Sequence, residues 1–306
     1  GEKDGSRGRR GERTDGGEPL TGGPWFRHTA HVTETPGTEP GQTPGRRRPA
    51  ERYPFLDHPG PIPFAHRGGI DYPPNAGIEN TIAAFANAVD LGYRYIETDV
   101  HATADGTVVV FHDHTLDRVT DASGPIAART VDELRKVRVG GKEPIPTLEE
   151  VLATFPDTRF NIDVKVAAAV RPMAEVVEAM KAHDRICVSA FSGRRLRRAR
   201  RLLPQVASGL EPSGVALRRM PLPRFLTTLL VADTPCIQVP PRWGALQIVT
   251  PTFLDRAHAA GKQVHVWTID DAAEIHRLLD LGVDGIMTDR PDILRDTLIE
   301  RGQWVS

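Results

Sequence analysis

From Pro61 to the C-terminus, strand-like and helix-like segments alternate, and that rhythm leaves few folds open. Short apolar runs fall at 62–66, 95–101, 159–165, 186–191, 206–210, 236–239, 263–269 and 285–288. Most are followed by helix-like segments, at 79–91, 147–155, 170–183, 193–203, 214–231, 251–260, 272–281 and 291–300. Strand and helix in repeated succession build a parallel sheet with helices outside it. Eight such repeats favour closure into a (β/α)8 TIM barrel over an open sheet. Leu91-Gly92, Ala260-Gly261 and Leu281-Gly282 agree, each placing glycine just past a helix, where a left-handed cap is wanted.

One apolar run breaks the rhythm. Val108–His112 follows the second strand after only six residues, too few for a parallel crossover. Asp105-Gly106 is a hairpin turn signal, so residues 107–112 are expected to fold back antiparallel beyond the end of that strand. Residues 113–146 lack strong periodicity and read as a small insertion within a barrel domain spanning 61–302.

Residues 1–52 are rich in Gly, Pro, Thr, Glu and Arg and nearly free of aliphatics. Such a segment cannot bury enough surface to offset its ordering entropy, so it is expected to be a disordered tail. Its Arg46-Arg47-Arg48 run reads as a solvated charge cluster. The net charge of −1 supplies no global field toward nucleic acid or acidic membranes, and no nucleic-acid partner is expected. No apolar run approaches the ~20 residues that span a bilayer, and residues 1–50 lack the apolar core of a signal peptide. The expectation is a cytoplasmic protein without integral membrane association. Two cysteines, Cys187 and Cys236, exclude a disulfide framework and read as buried spectators.

Polar residues gather at one end of the strands. His66 ends the first, Glu97 and Asp99 lie late in the second, Asp163 and Lys165 close the third, Trp267 closes the seventh and Asp289 follows the eighth. In a (β/α)8 barrel the C-terminal face carries the catalytic groups. Glu97 and Asp99, at i and i+2, point to the same face of a strand. With Asp163 on the neighbouring strand they form a set of hard oxygen donors suited to Mg²⁺ or Ca²⁺. His66 and His112 end apolar runs and can supply a general acid and a general base. His114, two residues on, is a rival for the role of His112. Arg67 suits a phosphate oxygen. Lys165 either binds phosphate or neutralises the acids beside it. Together these groups describe metal-assisted attack on a phosphodiester.

Other features have plainer readings. Gly68 and Gly69 form no dinucleotide fingerprint and serve a close backbone approach or a positive φ. Glu79-Asn80-Thr81 opens a helix, where capping competes with a site role. The six arginines between 194 and 201 surround Leu196, Ala199, Leu202 and Leu203, so they form the outer face of a barrel helix rather than a nucleic-acid patch. His101 and His265 lie on strands and read as structural.

In this order, His66-Arg67-Gly68, Glu79-Asn80-Thr81, Glu97-x-Asp99-Val100, Asp105-Gly106, His112-Asp113, Asn161-Ile162-Asp163-Val164-Lys165, Val266-Trp267-Thr268 and Gly282 to Pro291 (GVDGIMTDRP) are specific. Over residues 61 to 300 the chain resembles the glycerophosphodiester phosphodiesterase family of phospholipase C-like barrels. The resemblance implies a (β/α)8 barrel with a small insertion after the second strand. It also implies one divalent cation (Mg²⁺ or Ca²⁺, with Mn²⁺ a further candidate) and hydrolysis of a small-molecule glycerophosphodiester to glycerol 3-phosphate and an alcohol. His66 and His112 correspond to the acid–base pair and Glu97, Asp99 and Asp163 to the metal ligands. Arg67 and Lys165 correspond to the phosphate binders, and Trp267 to a wall of the substrate pocket. Two positions depart from the family pattern. Asp163 stands where glutamate is common, and Asp270 where asparagine often follows the Trp-Thr pair. A lysophospholipase D-type phosphodiesterase and a catalytically silent phosphodiester-binding barrel are the alternatives. Head group, histidine roles, nucleophile and oligomeric state are left open.

Overall fold

The computed structural model describes residues 49–210 and 232–305, together with Thr227, Leu229 and Leu230. In chain order the first half contains β1 (Ile62–His66), α1 (Ile82–Asp90), β2 (Tyr95–Ala102), β3 (Val108–Val110), α2 (Val131–Leu134), β4 (Arg138–Val139), β5 (Glu143–Pro144), α3 (Leu148–Thr154), β6 (Arg159–Val164) and α4 (Val170–Ala179). Next come β7 (Ile186–Ala190), α5 (Gly193–Leu202), β8 (Ala207–Leu210), β9 (Cys236–Val239), β10 (Arg242–Trp243) and β11 (Leu246–Gln247). The chain finishes with α6 (Pro251–Ala259), β12 (Gln263–Val266), α7 (Ala272–Leu281), β13 (Gly285–Thr288) and α8 (Pro291–Glu300). The helix expected at 214–231 falls almost wholly outside the described residues.

β1, β2, β6, β7, β8, β9, β12 and β13 run parallel in ring order, and β1 closes the ring by pairing with both β13 and β2. The chain is a (β/α)8 barrel. Helix starts follow capping chemistry: Thr81, Thr147, Ser192, Thr250 and Asp271 each accept a backbone N–H with the side chain. Glu150 returns the bond to the Thr147 N–H and completes a capping box. Gly92, Gly261 and Gly282 have φ of 95°, 70° and 87°, the left-handed region expected past a helix end.

β3 pairs antiparallel with β2, Val100 opposite Val110 and Ala102 opposite Val108, so the hairpin forms as expected. The insertion after it has a core of its own, built from Val109, Phe111, Leu116, Ile126, Leu134, Val139 and Ile145.

Inside the barrel, Asn161 and Gln238 exchange side-chain amide bonds at 3.3 and 3.0 Å, and Gln238 Nε2 lies 3.4 Å from His265 Nδ1. His265 is therefore a satisfied core residue. A Cβ at Gly209 would come within 2.7 Å of the Gln238 side chain, which is why that strand position has none. Ile62, Phe64, Tyr95, Cys187, Ala207, Cys236 and Met287 form a second interior cluster, which Phe55 and Leu56 join. The expected tail boundary shifts here. Pro49–Arg52 forms a 3₁₀ turn, Ala50 is buried, and its N–H donates to Gly261 O at 3.3 Å. These four residues pack with the folded domain because Ala50 joins the same apolar cluster as Phe55 and Leu56.

Candidate active site

Strand register sets the site. His66 is paired with Glu97 across β1 and β2, and Asp99 with Asp163 across β2 and β6. Four site residues thus sit at two adjacent levels near the C-terminal ends of three neighbouring strands. His66, Arg67, Glu97, Asp99, His112, Asp163, Lys165 and Trp267, spread over two hundred positions of sequence, line one cavity of about 140 Å³. Phe191, Thr268 and Met287 complete its wall. His114 does not line it; it is exposed, its ring 5.1 Å from that of His101.

Glu97, Asp99 and Asp163 are all buried. Lys165 Nζ lies 2.8 Å from Asp99 Oδ1 and 2.6 Å from Asp163 Oδ2. Arg67 Nε lies 3.1 Å from Asp99 Oδ2, which also accepts from Asn80 Nδ2 at 2.9 Å. Burial alone would raise the Asp99 carboxyl, but Lys165 and Arg67 outweigh it and hold Asp99 well below the usual carboxylate range. Asp163 moves the other way, raised by burial and by the like charge of Asp99 against the pull of Lys165. Its Oδ1 has no hydrogen-bond partner among the described residues.

A buried acceptor of that kind, beside two more buried carboxylates on one cavity, is a donor set that fits a hard divalent cation. The oxygens of the three do not meet at a point. Among the described residues the trio that does, with ligand atoms within 4.8 Å of one another, is Asp71, Asp270 and Asp289. Two of these acids are already engaged. Asp289 Oδ1 lies 2.6 Å from His66 Nδ1, and Asp270 Oδ1 accepts from Thr288 Oγ1 and the Asp289 N–H.

The histidines differ in their surroundings. His66 has a carboxylate on each ring nitrogen: Asp289 Oδ1 at Nδ1, and Glu97 Oε2 3.5 Å from Nε2. His112 has one, Asp113 Oδ1, 2.5 Å from Nδ1. Burial lowers the His112 pKa against the opposing pull of Asp99, and the cations of Lys165 and Arg67 lower it further. His101 Nε2 donates to His112 O at 3.0 Å, and burial, against the gain from that bond, depresses its pKa to about 4. It acts from behind the site.

A profile of the glycerophosphoryl diester phosphodiesterase family matches residues 66–293, three-quarters of the chain. The chain belongs to that family. As a member it is a phosphoric diester hydrolase. It is 43% identical over 254 residues to the probable glycerophosphodiester phosphodiesterase 2 of Mycobacterium tuberculosis, covering 82% of this chain and 95% of that one. It is 31% identical over 273 residues to a human lysophospholipase D, covering 77% and 85%. Among solved structures, an Oleispira antarctica phosphodiesterase in complex with the product sn-glycerol-3-phosphate superposes with a TM-score of 0.67 at 25% identity, covering 78% and 97%.

Several residues around the cavity were given no settled role from sequence. Glu79 and Asn80 looked like helix punctuation, yet only Thr81 caps α1. Asn80, at φ 60°, spans from Thr98 Oγ1 to Asp99 Oδ2. Arg67, at φ 52°, pairs with Glu79 at 3.2 Å. Positive φ at non-glycine residues is uncommon, and here both side chains reach Asp99. Gly68 and Gly69 also have positive φ, 90° and 97°, but what approaches them is Ala84 and Pro291, not ligand space. Arg195, read as outer-face charge, turns inward and donates to the backbone oxygen of Lys165. Phe191 lies 5.6 Å from Lys165 Nζ and 6.0 Å from the Trp267 ring, giving the cavity an aromatic side. Among the described residues no helix is long and apolar enough to cross a membrane.

Proposed function

We propose that this enzyme hydrolyses glycerophosphodiesters to glycerol 3-phosphate and an alcohol, with His112 as general base and His66 as general acid. The convergence of eight sequence-distant polar and aromatic residues on one small cavity carries the proposal. A volume of about 140 Å³ suits a compact glycerophosphoryl group rather than a polymer.

Charge supports the division of labour. With a protonated His66 offset by its partner Asp289, Glu97, Asp99 and Asp163 against Arg67 and Lys165 leave one formal negative charge at the cavity. A phosphodiester adds a second, and a divalent cation would bring the sum to zero. Glu97, Asp99 and Asp163 would hold that cation, which supplies charge stabilisation to a non-bridging phosphate oxygen. Arg67 and Lys165 bind the phosphate and share the charge that grows toward the transition state. Lys165 must then exchange one of its two carboxylate contacts for phosphate oxygen.

An ionised carboxylate only accepts, so Asp113 leaves the proton of neutral His112 on Nδ1 and a lone pair on Nε2, the form a base needs. His66, with a carboxylate at each nitrogen, is arranged for an imidazolium that donates to the leaving alkoxide. Trp267 and Phe191 wall one side of the cavity, and His112 takes the proton of the nucleophile, either the water that hydrolysis consumes or the neighbouring 2-hydroxyl whose cyclic product water then opens.

A panel of glycerophosphocholine, glycerophosphoethanolamine, glycerophosphoglycerol and a lysophospholipid tests the proposal. Glycerol 3-phosphate release from the three water-soluble diesters is expected. Turnover of the lysophospholipid alone would replace the proposal with the activity named for the human relative, and turnover of none would leave a silent barrel.

A further inference from the structure

We propose that Arg118, carried by the insertion and not by the barrel, is the positioning residue that fixes both His112 and Arg67. The proposal rests on the roles assigned to those two residues above. Arg118 does not line the cavity, so it is no catalytic residue. Its guanidinium spans two carboxylates. Nη1 and Nη2 donate to Glu79 Oε2 and Oε1 at 2.9 and 2.7 Å, while Nε and Nη2 donate to Asp113 Oδ2 and Oδ1 at 2.6 and 3.2 Å. Each carboxylate then grips one residue of the cavity: Asp113 Oδ1 takes His112 Nδ1 at 2.5 Å, and Glu79 Oε1 takes Arg67 Nη1 at 3.2 Å. The chain of contacts from base to phosphate binder therefore passes through one guanidinium.

The electrostatics follow the same path. Burial would raise Glu79, but Arg118 and Arg67 together hold it below the usual carboxylate range. Asp113, despite partial burial, is held at about 2 by Arg118 and His112. Both acids are thereby held ionised at neutral pH, as hydrogen-bond acceptors.

The backbone that presents Arg118 is set by packing. Leu116, two residues earlier, is fully buried in the insertion's own core, and its N–H donates to Gly124 O at 3.0 Å. An isolated surface ion pair contributes ~0–1 kcal/mol and has no reason to be tied to a site. Arg118 is 48% exposed, yet both its partners lead directly to cavity residues. Planar bidentate recognition on two sides is something arginine provides and lysine does not. The insertion thereby acts as a clamp on the mouth of the barrel.

The test uses the full chain with glycerophosphocholine and saturating divalent cation. Arg118→Ala should lower kcat about 10–100-fold, as loss of outer-shell partners does elsewhere. KM should rise as Arg67 loosens, with the melting temperature moving only a few degrees. Guanidinium added to the solution should restore part of the lost kcat, because the vacated position opens to solvent. Arg118→Lys keeps a cation against Glu79 and so protects the fold, but cannot span both acids and should remain impaired. Combined with Asp113→Asn, Arg118→Ala should cost less than the product of the single effects. Wild-type kcat and KM in either Arg118 variant would overturn the proposal. So would a loss that guanidinium does not restore and that multiplies fully with Asp113→Asn. An inactive His112→Ala beside a normal Arg118→Ala sinks only the clamp; an active His112→Ala sinks the base assignment itself.

Discussion

At the scale of single residues, the two histidines are told apart by what surrounds them. Each replacement by Ala should lower kcat by about 10²–10⁴-fold, the usual span for general acid–base work. The double mutant should fall well short of the product, because either loss disables the same proton transfer. A nitrophenyl leaving group needs little protonation, so a nitrophenyl glycerophosphodiester should rescue His66→Ala and not His112→Ala. The reverse pattern would exchange the roles. pH gives an independent check. His112 is held below its ordinary 6.5 by burial, and its neutral form is the active base. Hence the acid limb of kcat/KM should have its midpoint below pH 6.5, and a midpoint above 6.5 would contradict the assignment. The linked effect on stability has the same sign. With the folded pKa depressed, the contribution is complete above the unfolded value and is lost as pH falls through the folded one.

At the scale of elements, the β2–β3 hairpin decides which histidine faces the substrate. The register that places Val100 opposite Val110 brings the end of β3 back over the mouth, and the Phe111 N–H donates to Asp99 O at 2.9 Å. That bond, with His101 holding His112 O, fixes His112 toward the cavity and leaves His114 outside. His114→Ala should therefore cost less than tenfold in kcat; an inactive His114→Ala beside an active His112→Ala would show the hairpin shifted by two residues. α5 shows a helix serving two purposes. Leu196 and Ala199 bury its inner face, while Arg195 at its start anchors the Lys165 backbone and Arg200 pairs with Asp233 at 2.7 Å.

At the scale of the whole molecule, cation and fold are linked. A ligand that binds the folded state alone stabilises it by about 2.7 kcal/mol at a hundredfold excess over its Kd. For a domain of this size that is roughly 5–11 °C in melting temperature. Calorimetry with and without Mg²⁺, Ca²⁺ or Mn²⁺ should show such a rise, and EDTA should abolish turnover. Full activity in metal-free protein would remove the ligand role from Glu97, Asp99 and Asp163. The lower end of the barrel answers to truncation. A chain beginning at residue 49 should keep its activity and melting temperature, because residues 1–48 carry almost no apolar side chains to pack. One beginning at residue 57 loses Phe55 and Leu56, both buried, and should be destabilised by about 3–6 kcal/mol at ~1.5–3 kcal/mol per buried side chain. A denaturant midpoint equal to that of the longer chain would show that the two residues do not seal the core.

Periodicity pointed to the barrel, because eight strand–helix repeats favour closure over an open sheet, and strand ends carry the chemistry whatever the loops do. His66, Glu97, Asp99, Asp163, Lys165 and Trp267 were legible for that reason: each occupies a local pattern at a predictable end of a strand. His112 was legible from its hairpin, though its priority over His114 was not. Glu79, Asn80, Asp113 and Asp289 fell within legible motifs, but their pairing with Arg118, Asp99 and His66 spans up to 223 positions, and no local pattern announces such a partner. The structure decided that Arg195 points inward and that Pro49–Arg52 pack with the folded domain. It also decided that Lys165 sits between Asp99 and Asp163, since only folding brings three such charges close enough for one to determine the state of the others.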